Sequence, residues 1–426
     1  MEETFQAQFI SLQRDEIRPW TGINQIVSKT DYIPFGSDNL FPQALTKFCR
    51  TSPNHRGIIN SKHQYILGDG ITSDDEPTRL LLDSVNFEGE SLTEVVSPIL
   101  LDDLMTGNGW VELITDKNGS FLWFNHLDTT KIRLNKDLQS AILHPDWALY
   151  KGENDPYRNV LPLYPNFVPD KGIDGFPAYR CAYHFKRYEP EFVYYGIPQY
   201  ISSRDSINID LKTNKWNLAR LKNSFRVSGI MVVPIKDKGE AQDVLDYINK
   251  NFIGEDNQAK LLTITKSRAR DNEKADQTQF IETKQSDEGS WMDLHKQSIG
   301  DMVVSHGWFR SLCGLADNTG FDTQRIINEY EVAKNTVITN YQKEYSNMFE
   351  MLYRQVTGQE LVLNFSNTPP YDTDDYKYIW ELRKEKGLDF DENDPQQQIM
   401  IFGNTTIGGN GTINDQGGRN QNSVQP

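Results

Sequence analysis

The sequence predicts an α+β fold, and three observations carry that reading. A capped helix over 91–106 runs straight into a β-hairpin pattern, so helix and sheet follow one another in blocks and do not alternate as βαβ units. A β-α-β-β stretch within 226–286 sits between two helical segments. The longest periodic segment, 322–356, carries Ile326, Tyr330, Ala333, Val337, Tyr341, Tyr345, Met348 and Leu352 at steps of three or four, the period of one helical face. At ~1.5 Å per residue that helix is roughly 50 Å long, more than a compact domain needs.

The chain has 426 residues, enough for two or three domains with cores of their own. It is 37% hydrophobic and 24% charged, the balance of a folded, soluble protein. No apolar run approaches the ~18 residues of a transmembrane span, so no membrane is expected as a partner. The first residues, MEETFQAQFISLQRDE, are acidic and polar and do not read as a signal peptide. Three scattered cysteines, Cys49, Cys181 and Cys313, without a CxxC pair, argue for a reducing compartment and against a disulfide scaffold or zinc ribbon. A net charge of −16 argues against a protein that grips nucleic acid along its surface.

In chain order, residues 1–40 read as an extended arm ending in the turn-rich IPFGSDNLFP. Pro42 opens a helix to about Arg50, and Pro53 opens a second one carrying Ile58, Ile59, Tyr65 and Ile66. It ends at Leu67-Gly68-Asp69-Gly70, a turn into a strand. Ser91 and Glu94 form a capping box for a helix through Val95, Ile99, Leu100 and Leu104. The break at Thr106-Gly107-Asn108-Gly109 leads into a hairpin: Trp110 to Thr115, a turn at Lys117-Asn118-Gly119, then Phe121 to Phe124. Short strands and irregular loops are expected over 130–185.

Ile197-Pro198 opens a helix to about Phe225, with Ile207, Leu211, Leu218, Leu221 and Phe225 on one side. Its charge is unusual in an acidic chain: Arg204, Lys212, Lys215, Arg220, Lys222 and Arg226 against Asp205 and Asp210. Lys212, Lys215, Arg220 and Lys222 lie within three turns and form a candidate basic band; the plainer reading is a solvated face. The module after it reads as strand Ser228–Pro234, helix Glu240–Phe252 and strands Lys260–Lys266 and Gln279–Thr283. A helix from Trp291 to His306 follows, so the module sits at the tip of a helical hairpin.

The break over 307–321 holds Gly307, Gly314 and Gly320 and the polar run Asp317-Asn318-Thr319. Asp322 caps the long helix and Gly358 stops it. A strand from Glu360 to Phe365, a break at Pro369-Pro370 and a charged helix from about Thr373 to Lys386 follow. The tail from 403 is Gly, Asn, Gln and Thr with almost no charge, and is expected to be disordered.

Catalytic signatures are missing. There is no GxxxxGK[ST] loop, HExxH or GxSxG. His55 and His63 are eight apart, too far to share a metal without a third ligand. The acidic run from Asp389 fails as a calcium loop, with Asp394 where Gly is wanted and Met400 where Glu is wanted. Asp372, Asp374 and Asp375 read as a solvated loop end. No catalytic residue, metal or cofactor is expected.

Several of these pieces, in this order, resemble the portal proteins of tailed bacteriophages, of the HK97-like type. Leu104-Met-Thr-Gly107-Asn108-Gly-Trp110-Val-Glu112 looks like the family's helix, Gly-Asn turn and acidic strand. Tyr195-Gly196-Ile197-Pro198 resembles its Tyr-Gly-x-Pro element. Ile299 to Gly314 resembles its stem-helix end and Leu-x-Gly, with Gly307-Trp308 where the family often has Val-Pro. The resemblance covers about residues 35–365.

The resemblance implies a portal-type fold: N-terminal arm and α+β wing (1–196), stem helix (197–225), small α/β clip (226–286), second stem helix (287–306), tunnel loop, long helix and wing strand (307–366), and a short crown-like segment (367–402). It implies a non-enzymatic ring, of twelve subunits on the family's pattern, at one capsid vertex, with double-stranded DNA passing through. Its implied partners are the major capsid protein, the terminase large subunit and head–tail connector proteins. Its implied location is the virion, with the host cytoplasm during assembly. Asp317, Asn318 and Thr319 would line the channel, with Trp308 and Phe309 packed behind. The basic band would face capsid subunits or DNA phosphates. Two other readings remain: a metal-dependent nucleic-acid-processing enzyme using carboxylates such as Asp69, Glu112 and Asp372, and a helical adaptor or scaffold.

Overall fold

The structure is a computed structural model that describes residues 30–170, 178–223, 227–235, 260–267, 279–282, 288–315, 323–370 and, with breaks, 376–414. The first elements are α1 (Phe41–Thr51), α2 (Pro53–Leu67), β1 (Gly70–Thr72), α3 (Glu76–Leu82) and α4 (Leu92–Thr106). Strands β2 (Asn108–Thr115), β3 (Leu122–His126), β4 (Ile132–Leu134), β5 (Ser140–Leu143), β6 (Asn159–Pro162), β7 (Val168–Asp170) and β8 (Ala178–Lys186) follow. A 3-10 turn (Gln199–Ser203) then leads into α5 (Arg204–Asn223). Beyond it lie β9 (Val227–Ile235), β10 (Lys260–Ser267), β11 (Gln279–Glu282) and α6 (Glu288–Ser305). The last elements are α7 (Thr323–Ala333), α8 (Thr339–Thr357), β12 (Asn364–Ser366), β13 (Tyr376–Tyr378), α9 (Ile379–Glu385), β14 (Met400–Phe402), β15 (Thr405–Ile407) and β16 (Ile413–Asn414).

The chain forms two compact units. The first is Met1–Asn60, Pro98–Leu113 and His126–Gly307. In it β8 lies beside β2, and β7 pairs antiparallel with β8. The β4–β5–β6 meander is antiparallel, with Arg133 opposite Ile142. Arg133 is fully buried: it donates to Asn39 Oδ1 at 2.8 Å, to the Ile132 carbonyl at 2.7 Å and to the Asn39 carbonyl at 2.8 Å, and lies 5.1 Å over the Trp147 ring. Carbonyl oxygens and an aromatic face thus replace the water that the guanidinium loses. The module between α5 and α6 has β9 in the centre, β10 parallel on one side and β11 antiparallel on the other. A parallel pair needs a long crossover, as the expected helix 240–252 would supply, but that segment lies outside the described residues.

The second unit is Ser61–Ser97, Ile114–Asn125 and Trp308–Pro426. The capping box forms as read: Glu94 accepts from the Ser91 backbone at 2.8 Å, and Ser91 Oγ accepts from the Glu94 backbone at 3.3 Å. β1 pairs antiparallel with β12, Gly70 opposite Ser366. Gly68 reaches that pairing with φ 60°, and a Cβ there would lie 2.1 Å from the Ser366 carbonyl oxygen. Gly358 closes the long helix in the left-handed conformation, φ 72°.

The structure corrects four sequence expectations. The long helix is not a uniform α-helix: Lys334–Ile338 form a π-helical turn between α7 and α8. A π turn adds a residue, so the buried stripe steps from Ala333 to Ile338 and Gln342, where the uniform period placed Val337 and Tyr341. Gln342 fills its interior place by donating to the Ile66 carbonyl at 2.9 Å and Asn367 Oδ1 at 2.7 Å. The strand expected over 360–365 is only Asn364–Ser366. The charged helix begins at Ile379, after β13, rather than near Thr373. Within the tail read as disordered, β15 and β16 continue an antiparallel meander from β13 and β14. Its register sets Tyr376 opposite Phe402 and Ile407 opposite both Met400 and Ile413, a two-residue alternation hidden in a glycine-rich composition.

Candidate functional site: a braced helix pair

The two motifs that most define the first unit, Gly107-Asn108 and Tyr195-Gly196-Ile197-Pro198, lock onto each other. Asn108 Oδ1 accepts from the Gly196 backbone N–H at 2.8 Å, and Asn108 Nδ2 donates to the Gly196 carbonyl at 3.0 Å. The Gly107 carbonyl accepts from the Arg187 N–H at 2.8 Å, and the Arg187 guanidinium pairs with buried Asp103 at 2.6 Å. Two backbones meet here with no room for side chains. A Cβ on Gly196 would stand 2.2 Å from the Gly107 oxygen, and one on Gly107 would stand 2.4 Å from the Ile197 carbonyl carbon. Tyr195 completes the lock: its ring stacks on Phe35 at 4.1 Å, and its hydroxyl donates to the Ile33 carbonyl at 2.8 Å. This junction fixes where the chain departs for the 3-10 turn and α5.

α5 and α6 pack side by side. Their brace is Asp210, fully buried on α5. Its carboxylate accepts from Ser52 Oγ at 2.5 Å, from Asn54 Nδ2 at 2.8 Å and from His295 Nε2 of α6 at 2.8 Å. One carboxylate therefore ties the start of α2 to both helices. Charge-assisted bonds of this kind are roughly twice as strong as neutral ones and offset the desolvation of the carboxylate. We expect Asp210→Ala to cost about 2–3 kcal/mol in urea unfolding, since it orphans three buried or half-buried donors. An unchanged midpoint would show that the brace contributes nothing.

The end of α6 is held by a second buried cluster. His55 Nδ1 lies 3.0 Å from His306 Nε2, and the Tyr200 ring packs on both, 4.4 Å and 4.8 Å away. His55 Nε2 has no hydrogen-bond partner. The tautomer that leaves the smaller penalty has Nδ1 donating to His306, with a bare lone pair at Nε2. Burial drives the His55 pKa down to about 3. Gly307, φ 56°, then turns the chain beside Gln199.

Of the proposed basic band, Lys212 and Lys215 are exposed along α5, whereas the Arg220 and Lys222 side chains lie outside what is described. Leu218, expected on the apolar side, is 52% exposed; Ile207 is buried as expected. Asp317, Asn318 and Thr319 lie outside the described residues. Trp308 is buried and donates to Ser61 Oγ at 3.0 Å within the second unit. Of the carboxylates considered for an enzyme, Glu112 is buried against Arg180, whose Nε donates to it at 2.7 Å. Among the described residues no three His, Cys, Asp or Glu side chains gather in a metal-binding arrangement. Among them, too, no helix is long and apolar enough to cross a membrane. Sequence reasoning missed Asp210 as a hub. The available signal was an acid one turn from Ile207 on the apolar side of the helix, where only a paired carboxylate is stable.

The overall fold of this chain is shared with solved structures. A chain in the neck of an empty gene transfer agent (GTA) particle, computed with C6 symmetry, superposes with a TM-score of 0.55 at 12% identity, covering 82% of this chain and 94% of that one. A chain in the neck of the native GTA particle, computed with C12 symmetry, gives 0.54 at 12% identity, covering 84% and 92%. A crystal structure of an HK97 family phage portal protein from Corynebacterium diphtheriae aligns more loosely, with a TM-score of 0.40 at 9% identity, covering 77% and 97%. No protein-family profile and no curated protein matches the sequence. The protein thus has an α+β fold shared with chains of the GTA particle neck.

Proposed function

We propose that this chain is a portal subunit: a structural protein that closes into a ring at one capsid vertex and lets double-stranded DNA pass during packaging and ejection. The carrying observation is the fold shared over 82–84% of the chain with chains of a particle neck. The Gly107-Asn108 and Tyr195-Gly196 motifs that suggested the family are also the two that interlock at the root of the helix pair. In this reading α5 and α6 are the stem and β9–β11 belong to the clip. The clip meets the terminase large subunit and later the head–tail connector proteins, while the body sits against the major capsid protein. Asp317, Asn318 and Thr319 line the channel constriction. A net charge of −16 suits a conduit, because a duplex held by many neutralised phosphates would resist sliding.

The test is the mass and shape of the purified full-length chain. A particle of about twelve times 49.1 kDa, with a central hole in negative stain, is the expected result. A monodisperse monomer at every protein concentration and salt would overturn the reading.

A further inference from the structure

The ring reading requires each copy to present two unlike, complementary faces to its neighbours. Two exposed features of the first unit have that relation. One is the loop 187–194, between β8 and the Tyr195 lock. Tyr188 is 87% exposed and Val193 65% exposed, and Glu189 and Glu191 are exposed as well. The loop is shaped, not slack: Glu189 and Phe192 form a β-bridge, Lys186 Nζ donates to the Val193 carbonyl, and Glu191 holds a left-handed φ of 72°. A non-glycine residue in that conformation costs free energy, and such residues gather at binding and switching sites. The other feature is the outer stripe of α5, where Lys212, Lys215 and Leu218 follow at intervals of three, all exposed. The loop offers two acids with an aromatic and an aliphatic side chain. The stripe offers two bases with an aliphatic side chain.

We propose that the 187–194 loop of one copy docks on the α5 stripe of the next. Glu189 and Glu191 then meet Lys212 and Lys215, while Tyr188 and Val193 cover Leu218. This inference rests on the ring reading and gives the basic band a different partner from DNA or the capsid: a second copy of this chain. It also addresses a difficulty of self-assembly. Copies carrying a net charge of −16 repel at long range, so a local patch of opposite sign is needed to bring them into register.

The experiment uses charge reversal in the full-length chain. Glu189→Lys/Glu191→Lys makes a loop variant and Lys212→Glu/Lys215→Glu a stripe variant. All four substitutions together make a third chain. Particle mass is read by light scattering over a concentration series, and thermal unfolding checks that each chain folds. Each two-residue variant alone should need about tenfold or more protein to close rings, an effect that shrinks at high salt. An equimolar mixture of loop and stripe variants should assemble again, because alternation puts every reversed loop on a reversed stripe. Unaltered assembly of either variant alone overturns the inference. So does a defect relieved in the fourfold variant but not in the mixture, which would mark a contact within one chain. A wild-type chain that never forms rings removes the portal reading itself, a failure distinct from these.

Discussion

Replacing Gly196 by alanine should destabilise the first unit by more than about 3 kcal/mol, and valine should prevent folding. The added Cβ would lie 2.2 Å from the Gly107 oxygen and 2.7 Å from the Arg187 nitrogen, both backbone atoms that cannot rotate away. Relief would require breaking the Asn108–Gly196 bonds of 2.8 and 3.0 Å. Gly107 is constrained twice, by φ 73° and by Ile197. The control is Gly300, in the middle of α6, where an added Cβ would meet nothing within 4 Å. Gly300→Ala should stabilise by about 0.5–1 kcal/mol through helix propensity alone. Urea midpoints of the two alanine variants should therefore move in opposite directions. A Gly196→Ala chain with the wild-type midpoint would mean that the two motifs do not touch.

Acid should weaken the first unit well above the pH at which carboxylates protonate. The His55 and His184 pKa values are both lowered to about 3 from 6.5, chiefly by burial. The sign follows from proton uptake. Between pH 6.5 and 3 the unfolded chain binds protons at these positions and the folded chain does not, so stability is full above pH 6.5 and is lost as pH falls. The fully buried His55 sets an upper limit of about 4–5 kcal/mol. His184 stacks on Trp110 at 3.9 Å but keeps part of its surface open, so its share is smaller. Denaturant midpoints measured from pH 7 to pH 4 should fall steadily, and His55→Leu should flatten the slope. A midpoint constant over that range would contradict burial of neutral imidazoles.

Local signals in the sequence were strong where one residue type had one physical use. The Ser91/Glu94 box, the proline starts of α1 and α2 and the Gly358 stop each appear where their chemistry placed them. Strand order in the module was not legible, because β9 pairs with β10 and β11 across long intervals of sequence. The interlock of Gly107-Asn108 with Gly196 was visible only as two separate motifs. Nothing local says that residues 88 positions apart share two hydrogen bonds. Asp210 was read as one of two acids relieving a basic helix; its burial came from Ser52, Asn54 and His295, which no window on α5 contains. The tail failed for the opposite reason. Composition outvoted a short alternation, in strands of three residues or fewer.

The π-helical turn at Lys334–Ile338 bears on how this chain is compared with others. A π turn is the form a helix takes when one residue is gained and neither flank is free to rotate. Ile327, Tyr330 and Ala333 are buried before the turn and Tyr345, Met348, Phe349 and Leu352 after it, so both flanks are anchored. The extra residue is confined to five positions and leaves the phase of each flank intact. An alignment with a relative whose helix is uniformly α should then open a single-residue gap within 334–338. Forcing the two helices into ungapped register would pair interior positions of one with surface positions of the other over half their length.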